Sequence, residues 1–502
     1  MPADVTTGYL LGIDVSTTAT KAVLVAGDGS VAGTGASGYG VDTPRPGWSE
    51  QDPEVWWEAT GLAVREALHA AGVTAAKVRA VGLTGQMHGS VLLDRAGSVV
   101  RPALLWNDQR TSAECDEIRR RVGAQRLVHL TGNDALTGFT APKLLWVRRH
   151  EPEVWSRVVH VLLPKDYVRY RLTGKLATDV ADASGTLLLD VPARAWSAQV
   201  MADLDLDATL LPALLEGPQR SGRISRAAAE EVGLAAGTPV VAGGGDQAAN
   251  AVGVGAVSPD TGALSLGTSG VVFVPTTSPV VEERGRVHAF CHAVPNTWHV
   301  MGVMLSAAGS LRWYRDVLAP GTSFAELVAE AADVPPGADG LVFLPYLTGE
   351  RTPHADPSAR GAFVGLTVRH TRPHLTRAVL EGVAFGLRDG LELMRRAGVD
   401  LPAELRASGG GTRSALWMQI ISDVLRTPLS VTATAEGAAY GAALLASPVA
   451  GWYGSVTTAT GALVTTSGST RPVRPDDYEQ PYQLYRSLYP ALAPQFAATV
   501  AG

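Results

Sequence analysis

Short apolar runs that stop at glycine-rich or hydroxyl-rich turns recur along the chain, and each of them predicts a buried strand. The first run, Tyr9 to Val15, is followed by the polar turn Ser16-Thr17-Thr18 and by a second apolar run over residues 21–26. Residues 262–274 repeat this arrangement, with the turn Gly267-Thr268-Ser269 between two apolar runs. One such hairpin near the start of each half predicts two α/β lobes of related fold that face each other across a central cleft.

Another apolar run, Val240-Val241-Ala242, ends in three glycines, the carboxylate of Asp246 and a series of small residues with helical character. Glycines at a strand end let the backbone approach a ligand closely. Asp246 would then project from the carboxyl end of the strand, where open α/β sheets bind their ligands. A glycine-rich turn in which Asp246 caps the following helix is the alternative.

Two more predicted strands end in side chains suited to a small ligand. The strand over residues 78–83 leads into Gly85-Gln86-Met87-His88-Gly89, and Leu104-Leu105 leads into Trp106-Asn107-Asp108. Mixtures of aromatic faces and planar polar groups are typical of sites that hold sugar hydroxyls. A histidine that is simply packed in a loop is the alternative for His88.

The segments between these strands contain helix and loop signals. Asp52-Pro53 predicts a helix start, with Asp52 as the N-cap. Residues 112–130 predict a charged surface helix, and residues 178–186 predict an acid- and hydroxyl-rich loop. A second triglycine turn, residues 409–411, opens a helix near Ser414, where a nucleotide could lie against the backbone.

Two apparent motifs lack the neighbouring structure or the ligand spacing that their functions require. Residues 33–38 match the dinucleotide-binding spacing of glycines, but no helix follows them. His288, Cys291, His292 and His299 do not have the spacing of a tetrahedral metal site, and the alternation around them indicates a strand.

Length, composition and charge narrow the class of protein. A chain of 502 residues is too long for one core, so we expect lobes over residues 1–252 and 253–450, followed by a tail, 451–502, whose helix packs back on them. The net charge of −6 and the absence of a basic run argue against nucleic-acid or membrane partners. Two cysteines, no basic leader and no long apolar run favour a cytoplasmic enzyme.

Phosphoryl transfer is chemically accessible to this set of residues, although no Walker A motif is present, since Gly174-Lys175 is followed by Leu176. Residues 14–18 and 267–269 could form a phosphate cradle. Asp14 could hold a metal ion, and Asp246 could orient and deprotonate an acceptor hydroxyl.

Over almost its whole length the chain resembles the FGGY carbohydrate kinases, and within that family the members that act on D-xylulose. The matching segments are Gly47-Trp-Ser-Glu-Gln-Asp-Pro53, Gly85-Gln-Met-His-Gly89, Leu105-Trp-Asn-Asp108, Phe139-Thr-Ala-Pro-Lys-Leu-Leu-Trp146, Leu163-Pro-Lys-Asp-Tyr167, Gly243-Gly-Gly-Asp246, Leu264-Ser-Leu-Gly-Thr-Ser-Gly270, Phe290-Cys-His-Ala293 and Leu344-Pro-Tyr-Leu-Thr-Gly-Glu-Arg-Thr-Pro-His354. Two family signatures are also matched, one around Lys143 and Trp146 and the other over residues 361–381.

The resemblance implies two actin-like (ribonuclease H-like) ATPase domains, with ATP, Mg²⁺ and sugar between them. It implies phosphorylation of D-xylulose to D-xylulose 5-phosphate, with Asp246 as the general base on the C5 hydroxyl and Asp14 as the Mg²⁺-linked carboxylate. The other implied contacts are Met87, His88, Trp106 and Gln247 to the sugar, and Ser16, Thr17, Thr18, Gly267, Thr268, Gly410, Gly411 and Ser414 to the nucleotide.

Two positions depart from the family pattern. Ser16 stands where glycine is usual in the phosphate turn, and Gln247 replaces an asparagine that often follows the base. The alternatives left open are a kinase for another ketose or polyol, a sugar-binding regulator without catalysis, and an actin-like polymer or chaperone ATPase. A homodimer is left open as the assembly.

Overall fold

The computed structural model describes residues 8–434 and 436–500. Two seven-stranded sheets, one from each half of the chain, form the centres of two lobes. Within the described ranges, no helix is both long enough and apolar enough to cross a membrane.

The first half contains the strands β1 (Tyr9–Val15), β2 (Ala19–Ala26), β3 (Val31–Gly38), β4 (Glu50–Gln51), β5 (Val78–Gly85), β6 (Val91–Leu93), β7 (Ala103–Leu104), β8 (His160–Leu162), β9 (Ala177–Asp179), β10 (Leu189–Asp190), β11 (Ala195–Trp196), β12 (Ala213–Leu215), β13 (Arg220–Arg223), β14 (Pro239–Val241) and β15 (Gly244–Gly245). Its α-helices are α1 (Pro53–Ala71), α2 (Ser112–Ile118), α3 (Ala124–Thr131), α4 (Thr140–His150), α5 (Pro152–Trp155), α6 (Pro164–Thr173), α7 (Val180–Ser184), α8 (Ala198–Asp203), α9 (Arg226–Val232) and α10 (Asp246–Val254).

The second half contains the strands β16 (Thr261–Leu266), β17 (Gly270–Thr276), β18 (His288–Cys291), β19 (Trp298–Met304), β20 (Val342–Leu344), β21 (Ala362–Val364), β22 (Glu404–Ser408), β23 (Leu429–Thr432) and β24 (Thr466–Thr470). Its α-helices are α11 (Ala308–Leu318), α12 (Phe324–Glu330), α13 (Arg372–Arg396), α14 (Ala415–Leu425), α15 (Gly437–Leu445), α16 (Val456–Leu463) and α17 (Glu479–Val500).

The two large sheets share one plan. In the first, the order is β13-β14-β5-β1-β2-β3, with β15 also beside β5; in the second it is β18-β19-β17-β16-β22-β23-β24. Each has a central antiparallel hairpin, β1–β2 or β16–β17, whose first strand pairs in parallel with a later strand, β5 or β22. The repeated hairpin and the two-lobed α/β fold predicted from the sequence are therefore confirmed.

Helices cover both faces of the first sheet. Leu11, Ile13 and Leu24 share a core with α1, whose N-cap is Asp52 as predicted. The side chains on the opposite face of the sheet, such as those of Leu10 and Val23, pack instead with α15. Strands buried on both faces are expected to be apolar throughout, and the first half of β1 fits that rule.

Helix α15 is supplied by the second half of the chain, yet it packs on the first sheet and against α10. A Cβ atom on Gly12 of β1 would lie 1.8 Å from the carbonyl oxygen of Ala439, and one on Gly441 would lie 1.8 Å from that of Ala249. Only glycine permits such close approach of two backbones. The helix thus ties the two halves together, which no local sequence pattern predicted.

The tail is divided between both lobes. Trp452, Val456 and Leu463 join the core that contains α15, whereas Tyr478, Tyr482 and Tyr485 enter the core of the second lobe. Strand β24 pairs with β23 at the edge of the second sheet. The amphipathic helix predicted in the tail lies within α17.

Two predictions about the first half are wrong. The surface helix expected over residues 112–130 is divided into α2, a π-helical turn over Arg119–Gly123 and α3, because Gly123 adopts a left-handed conformation with φ of 86°. The loop expected over residues 178–186 is instead the end of β9 followed by α7, and its acidic side chains are buried.

Candidate functional site

The predicted catalytic residues follow three strands whose carboxyl ends meet at one edge of the first sheet. β1 and β15 both pair in parallel with β5, so that Asp14 lies opposite Thr84 and Gly245 lies opposite Gly85. Asp14 is near the end of β1, Met87 and His88 follow β5, and Asp246 follows β15. The structure therefore brings these four residues to one place in the fold.

Asp14 and Asp246 form a pair of half-buried carboxylates, called here the cleft pair. The Oδ1 atom of Asp14 is buried and has no hydrogen-bond partner among the described residues. Burial and then the charge of Asp246 raise the pKa of Asp14 to about 7, against the opposing charge of Lys21. Because like charges close together resist ionisation, the cleft pair favours either a bound proton or a bound cation.

Asp246 is the first residue of α10, and the N-cap is Gly245, without a side-chain cap. The alternative in which Asp246 serves as the helix cap is therefore wrong. The carboxylate accepts a hydrogen bond at 2.8 Å from the backbone N–H of Gln247, and the side-chain amide of Gln247 lies 3.5 Å from Oδ2. Burial raises the pKa of Asp246 to about 6 despite the contacts with Gln247.

Met87 and His88 pack against two glycines. A Cβ atom on Gly245 would lie 2.7 Å from the sulfur of Met87, and one on Gly185 would lie 2.5 Å from Nδ1 of His88. Met87 therefore lies directly beside the residue that precedes Asp246. Gly185 had no role in the sequence prediction, because nothing local indicates which distant strand end it will meet.

The His88 ring is held as a neutral imidazole. Its Nδ1 is 2.7 Å from the carbonyl oxygen of Gly185, and since a carbonyl only accepts, Nδ1 carries the proton and Nε2 is left as an acceptor. Burial lowers the pKa of His88 to about 3. The backbone is in the left-handed region, with φ of 69°, and the hydroxyl of Thr140 and the ammonium of Lys143 donate to its carbonyl at 3.0 and 2.9 Å.

Aromatic rings from both halves of the chain surround His88. Phe139 meets it edge to face with ring centroids 4.8 Å apart, and Phe290 of β18 lies 6.3 Å away. Phe290 stacks on His288 at 5.5 Å. The strand predicted around the histidine-rich segment is thus confirmed, and His288 and Phe290 form part of a wall beside His88.

The first hydroxyl-rich turn is fixed by side chains that the sequence did not mark for that role. The Gln51 amide donates to the carbonyl oxygens of Thr17 and Gly40, both at 2.7 Å, and the Tyr39 hydroxyl donates to that of Ser16 at 2.7 Å. The indole N–H of Trp106 donates to the Thr17 hydroxyl at 3.0 Å, and the Trp106 side chain remains 39% exposed.

The hydroxyls of this turn differ in availability. The Ser16 hydroxyl donates to the carbonyl oxygen of Ala19 at 2.7 Å and is used within the turn. Thr18 is exposed. Ser16 therefore stabilises the turn internally, which accommodates a side chain at the position where the resemblance leads us to expect glycine.

The second turn lies beside the triglycine segment. β16 and β22 pair in parallel, and a Cβ atom on Gly409 would lie 2.6 Å from the carbonyl oxygen of Leu266 and 3.2 Å from the nitrogen of Gly267. Gly410 faces open space and Thr268 is exposed. Ser414, by contrast, caps α14 by accepting from the backbone N–H of Trp417 at 3.1 Å, so its hydroxyl is already engaged.

A second acidic group, called here the Lys165 cluster, consists of Lys165, Asp166, Arg169, Asp179 and Asp182. The Lys165 ammonium lies 2.6 Å from Asp166, 2.6 Å from Asp179 and 2.8 Å from Asp182, and all are completely buried. Arg169 donates to Asp166 at 2.7 Å and to the carbonyl oxygen of Ala242 at 2.6 Å. Three carboxylates at this spacing could surround a metal ion, but the ammonium occupies that position.

The Lys165 cluster is connected to the site through the backbone. Asp182 and Ser184 belong to α7, which ends directly before Gly185, the partner of His88. Ala242, the partner of Arg169, lies four residues before Asp246 on the same strand end. The segment that the sequence assigned to an acid- and hydroxyl-rich loop is therefore connected to both strand ends.

Both halves of the chain match one family. The N-terminal domain of the FGGY family of carbohydrate kinases matches residues 9–253, and the C-terminal domain matches residues 262–449. The chain is 45% identical over 437 residues to a xylulose kinase of Escherichia coli (strain K12), covering 87% of this chain and 89% of that protein. It is 40% identical over 489 residues to a xylulose kinase of Lactococcus lactis, covering 96% of each.

A solved structure is similar over the same extent. The crystal structure of xylulose kinase from Rhodospirillum rubrum superimposes with a TM-score of 0.90 at 33% identity, covering 97% of this chain and 100% of that one. Sequence and fold therefore agree along nearly the whole length. The chain belongs to the FGGY family of carbohydrate kinases, which phosphorylate carbohydrates with ATP.

Proposed function

We propose that this enzyme transfers the γ-phosphoryl group of ATP to the C5 hydroxyl of D-xylulose, giving ADP and D-xylulose 5-phosphate. The observation that carries the proposal is the placement of Asp246 beside Met87 and His88, at the ends of neighbouring parallel strands. The names of the two curated relatives, at 40 and 45% identity, support D-xylulose as the sugar.

Asp246 is proposed to act as the general base. One carboxylate oxygen is held by the Gln247 N–H, while Oδ2 has only the Gln247 amide at 3.5 Å and can face an acceptor hydroxyl. A base works best when its pKa is close to the working pH, and burial raises the pKa of Asp246 to about 6. The proton of the C5 hydroxyl would pass to this carboxylate as the phosphoryl group arrives.

The sugar is proposed to lie along Met87 and His88. Met87 offers an apolar surface, and Nε2 of the neutral His88 offers an acceptor for a sugar hydroxyl. Gln247 would donate from its amide beside the base. The indole N–H of Trp106 is bound to Thr17, so Trp106 would contribute its exposed ring face.

The nucleotide is proposed to bind between the two turns, with Thr17, Thr18, Gly267 and Thr268 toward the phosphates and Gly410 and Gly411 toward the nucleoside. Ser16 and Ser414 would contribute through the shape of the turn and of the helix start, since their hydroxyls are engaged. The assignment of residues 1–252, 253–450 and 451–502 to two kinase domains and a tail is part of this proposal.

Asp14 suits a cation that accompanies ATP. Its buried Oδ1 lacks a partner in the described structure, and its pKa is raised to about 7, so that nearby positive charge would stabilise the ionised carboxylate. Asp14 would hold Mg²⁺ through water, and the bound ion would neutralise part of the phosphate charge.

ADP release with MgATP and a panel of D-xylulose, D-ribulose, L-ribulose, L-xylulose and glycerol tests the proposal. We expect D-xylulose to be preferred by a factor of about 100, which corresponds to about 2.7 kcal/mol of discrimination. A preference of that size for another member of the panel would replace the sugar in the proposal. Background hydrolysis with every sugar would overturn the proposed transfer itself.

A further inference from the structure

Arg351 lies in a polar loop between β20 and β21 that is held against β19. The Thr352 N–H donates to the carbonyl oxygen of Val303 at 3.0 Å, and the Thr352 hydroxyl donates to that of Arg286 at 2.9 Å. On the other side, the Glu350 carboxylate accepts from the N–H of Leu305 at 3.0 Å. Arg351 is therefore fixed at both neighbours, and its backbone position is set by the second lobe.

The guanidinium of Arg351 has no hydrogen bond or ion pair in the described ranges; the residue donates only through its backbone N–H, to Glu350 at 2.8 Å. The side chain is half-buried, and desolvation lowers its pKa. Since a guanidinium offers five N–H donors, this one is equipped for a ligand.

Within the part of the second lobe that the structure describes, no carboxylate forms an ion pair with this guanidinium. Glu350 is the acid whose charge acts on Arg351, but burial raises the pKa of Glu350 to about 8. Burial of Glu350 therefore weakens the negative charge that it can offer to Arg351. An uncompensated cation in a desolvated position is costly, which favours a partner that arrives from outside the chain.

The contacts of Thr352 place this loop beside the wall that faces His88: Arg286 lies two residues before His288 of β18, and Val303 of β19 packs against the apolar cluster that contains Met87 and Phe290. The positive charge of Arg351 contributes to lowering the pKa of both His88 and His288, after the larger effect of burial. The loop that carries Arg351 thus adjoins the His88 side of the proposed sugar site.

We propose that Arg351 reaches from the second lobe to donate hydrogen bonds to the oxygens at the C1–C2 end of the ketose. This inference rests on the proposed function, in which the reacting C5 hydroxyl is at Asp246 and the sugar extends past Met87 to His88. A sugar in that position presents its opposite end to Arg351. The first lobe would then hold the reacting end of the sugar and the second lobe the carbonyl end, so that both lobes contact one substrate.

Kinetics with two sugars and two proteins test the inference. We expect Arg351→Met to lower kcat/KM for D-xylulose by about 10- to 100-fold, the effect of losing charged hydrogen bonds, with less than about a threefold change in the KM for ATP. Wild type should prefer D-xylulose over 1-deoxy-D-xylulose, which lacks the C1 hydroxyl, by about 10-fold or more. Arg351→Met should show less than about a threefold preference between the two.

The controls separate contact from structure. Arg360→Met removes an arginine of the same loop whose guanidinium donates to the carbonyl oxygens of Pro357 and Ala359, and we expect wild-type discrimination between the two sugars. If Arg351→Met does not fold, Arg351→Lys keeps the charge without the fork and should retain part of the discrimination.

Two results would overturn the inference, and they are distinguishable. Equal discrimination by wild type and Arg351→Met, or an effect confined to the KM for ATP, would remove Arg351 from the sugar while leaving the proposed function intact. A wild-type enzyme that does not phosphorylate D-xylulose would overturn the proposed function, and this inference with it.

Discussion

The cleft pair and the Lys165 cluster are both groups of desolvated carboxylates in the first lobe, but they differ in what surrounds them. In the Lys165 cluster, an ammonium and a guanidinium lie within hydrogen-bonding distance of the acids. In the cleft pair, no described cation lies within hydrogen-bonding distance of either acid, and Asp246 has only its neighbour Gln247. Burial alone therefore does not separate the two groups; the presence of a cation within hydrogen-bonding distance does.

The pKa shifts within the Lys165 cluster show how its cations and its buried acids act on one another. Burial raises the pKa of Asp179 and Asp182, while Lys165 and Arg169 overcome burial at Asp166 and lower its pKa. Although burial acts in the opposite direction, the three acids raise the pKa of Lys165 above its usual range. The lysine thus stays charged and holds α6 to β9 and α7.

The largest expected effect comes from removing an acid of the cleft pair. Asp246→Ala should lower kcat by about 10²- to 10⁴-fold, because a general base contributes that much, while D-xylulose binding measured by calorimetry largely survives. Asp260→Ala, at an exposed carboxylate, is the matched control and should keep wild-type turnover. Wild-type turnover in Asp246→Ala would show that Asp246 is not the base.

Removing the cation of the Lys165 cluster should act on stability instead. Lys165→Met leaves three buried acids with only Arg169, and losing one partner of a buried ion group costs about 3–5 kcal/mol. Urea denaturation followed by fluorescence measures this loss. Lys21→Met removes an exposed lysine near Asp14 and should change the free energy of unfolding by less than about 0.5 kcal/mol.

That comparison would fail if Lys165→Met unfolded at the same urea concentration as Lys21→Met. The three acids would then be neutral without the ammonium, and the Lys165 cluster would not depend on its internal cation.

Lowering the pH is expected to have a smaller effect on kcat/KM. Because the base must be ionised, kcat/KM should fall about tenfold per unit as the pH drops below about 6, the value to which burial raises the pKa of Asp246. A pH–rate profile of the free enzyme measures it. A profile flat from pH 7 down to 5 would contradict a base with this pKa.

The raised pKa values of Asp14 and Asp246 should make the folded protein more stable at low pH, whereas kcat/KM falls there. Asp14 and Asp246 bind protons more tightly in the folded than in the unfolded protein. Their protonation therefore adds its full contribution to the free energy of unfolding below about pH 4, and this contribution is lost as the pH rises through about 6 to 7. Denaturation in the absence of ligands should show this loss, and Asp246→Ala should reduce it. An unchanged pH dependence in that variant would mean that Asp246 does not titrate in this window.

Much of the fold could be predicted because its signals are local. The alternation of apolar runs and turns located β1, β2, β5, β16 and β17, and glycines at strand ends placed Asp246 at the edge of a sheet. The Asp52 cap followed from neighbouring residues alone. Such features depend on residues within a few positions of one another, so the sequence contains them directly.

The environment of those residues could not be predicted in the same way. The hydrogen bond from His88 goes to a carbonyl 97 positions away, and the acids of residues 178–186 are paired in the interior with Lys165, which arrives from α6. Nothing in the acidic segment itself distinguishes a buried ion group from a solvated loop. The roles proposed for the site residues, the domain boundaries and the homodimer stay predictions.

The sequence by itself determined the two-lobed α/β plan and the order in which Asp14, the Met87-His88 pair and Asp246 appear at strand ends, since hydrophobic periodicity and glycine placement are encoded locally. Only the tertiary structure decided which acids are paired with a cation, that α15 crosses to the first sheet, and that the loop carrying Arg351 lies against the strands beside His88. The reason is that charge compensation and packing depend on distances in space, which chain separation does not specify.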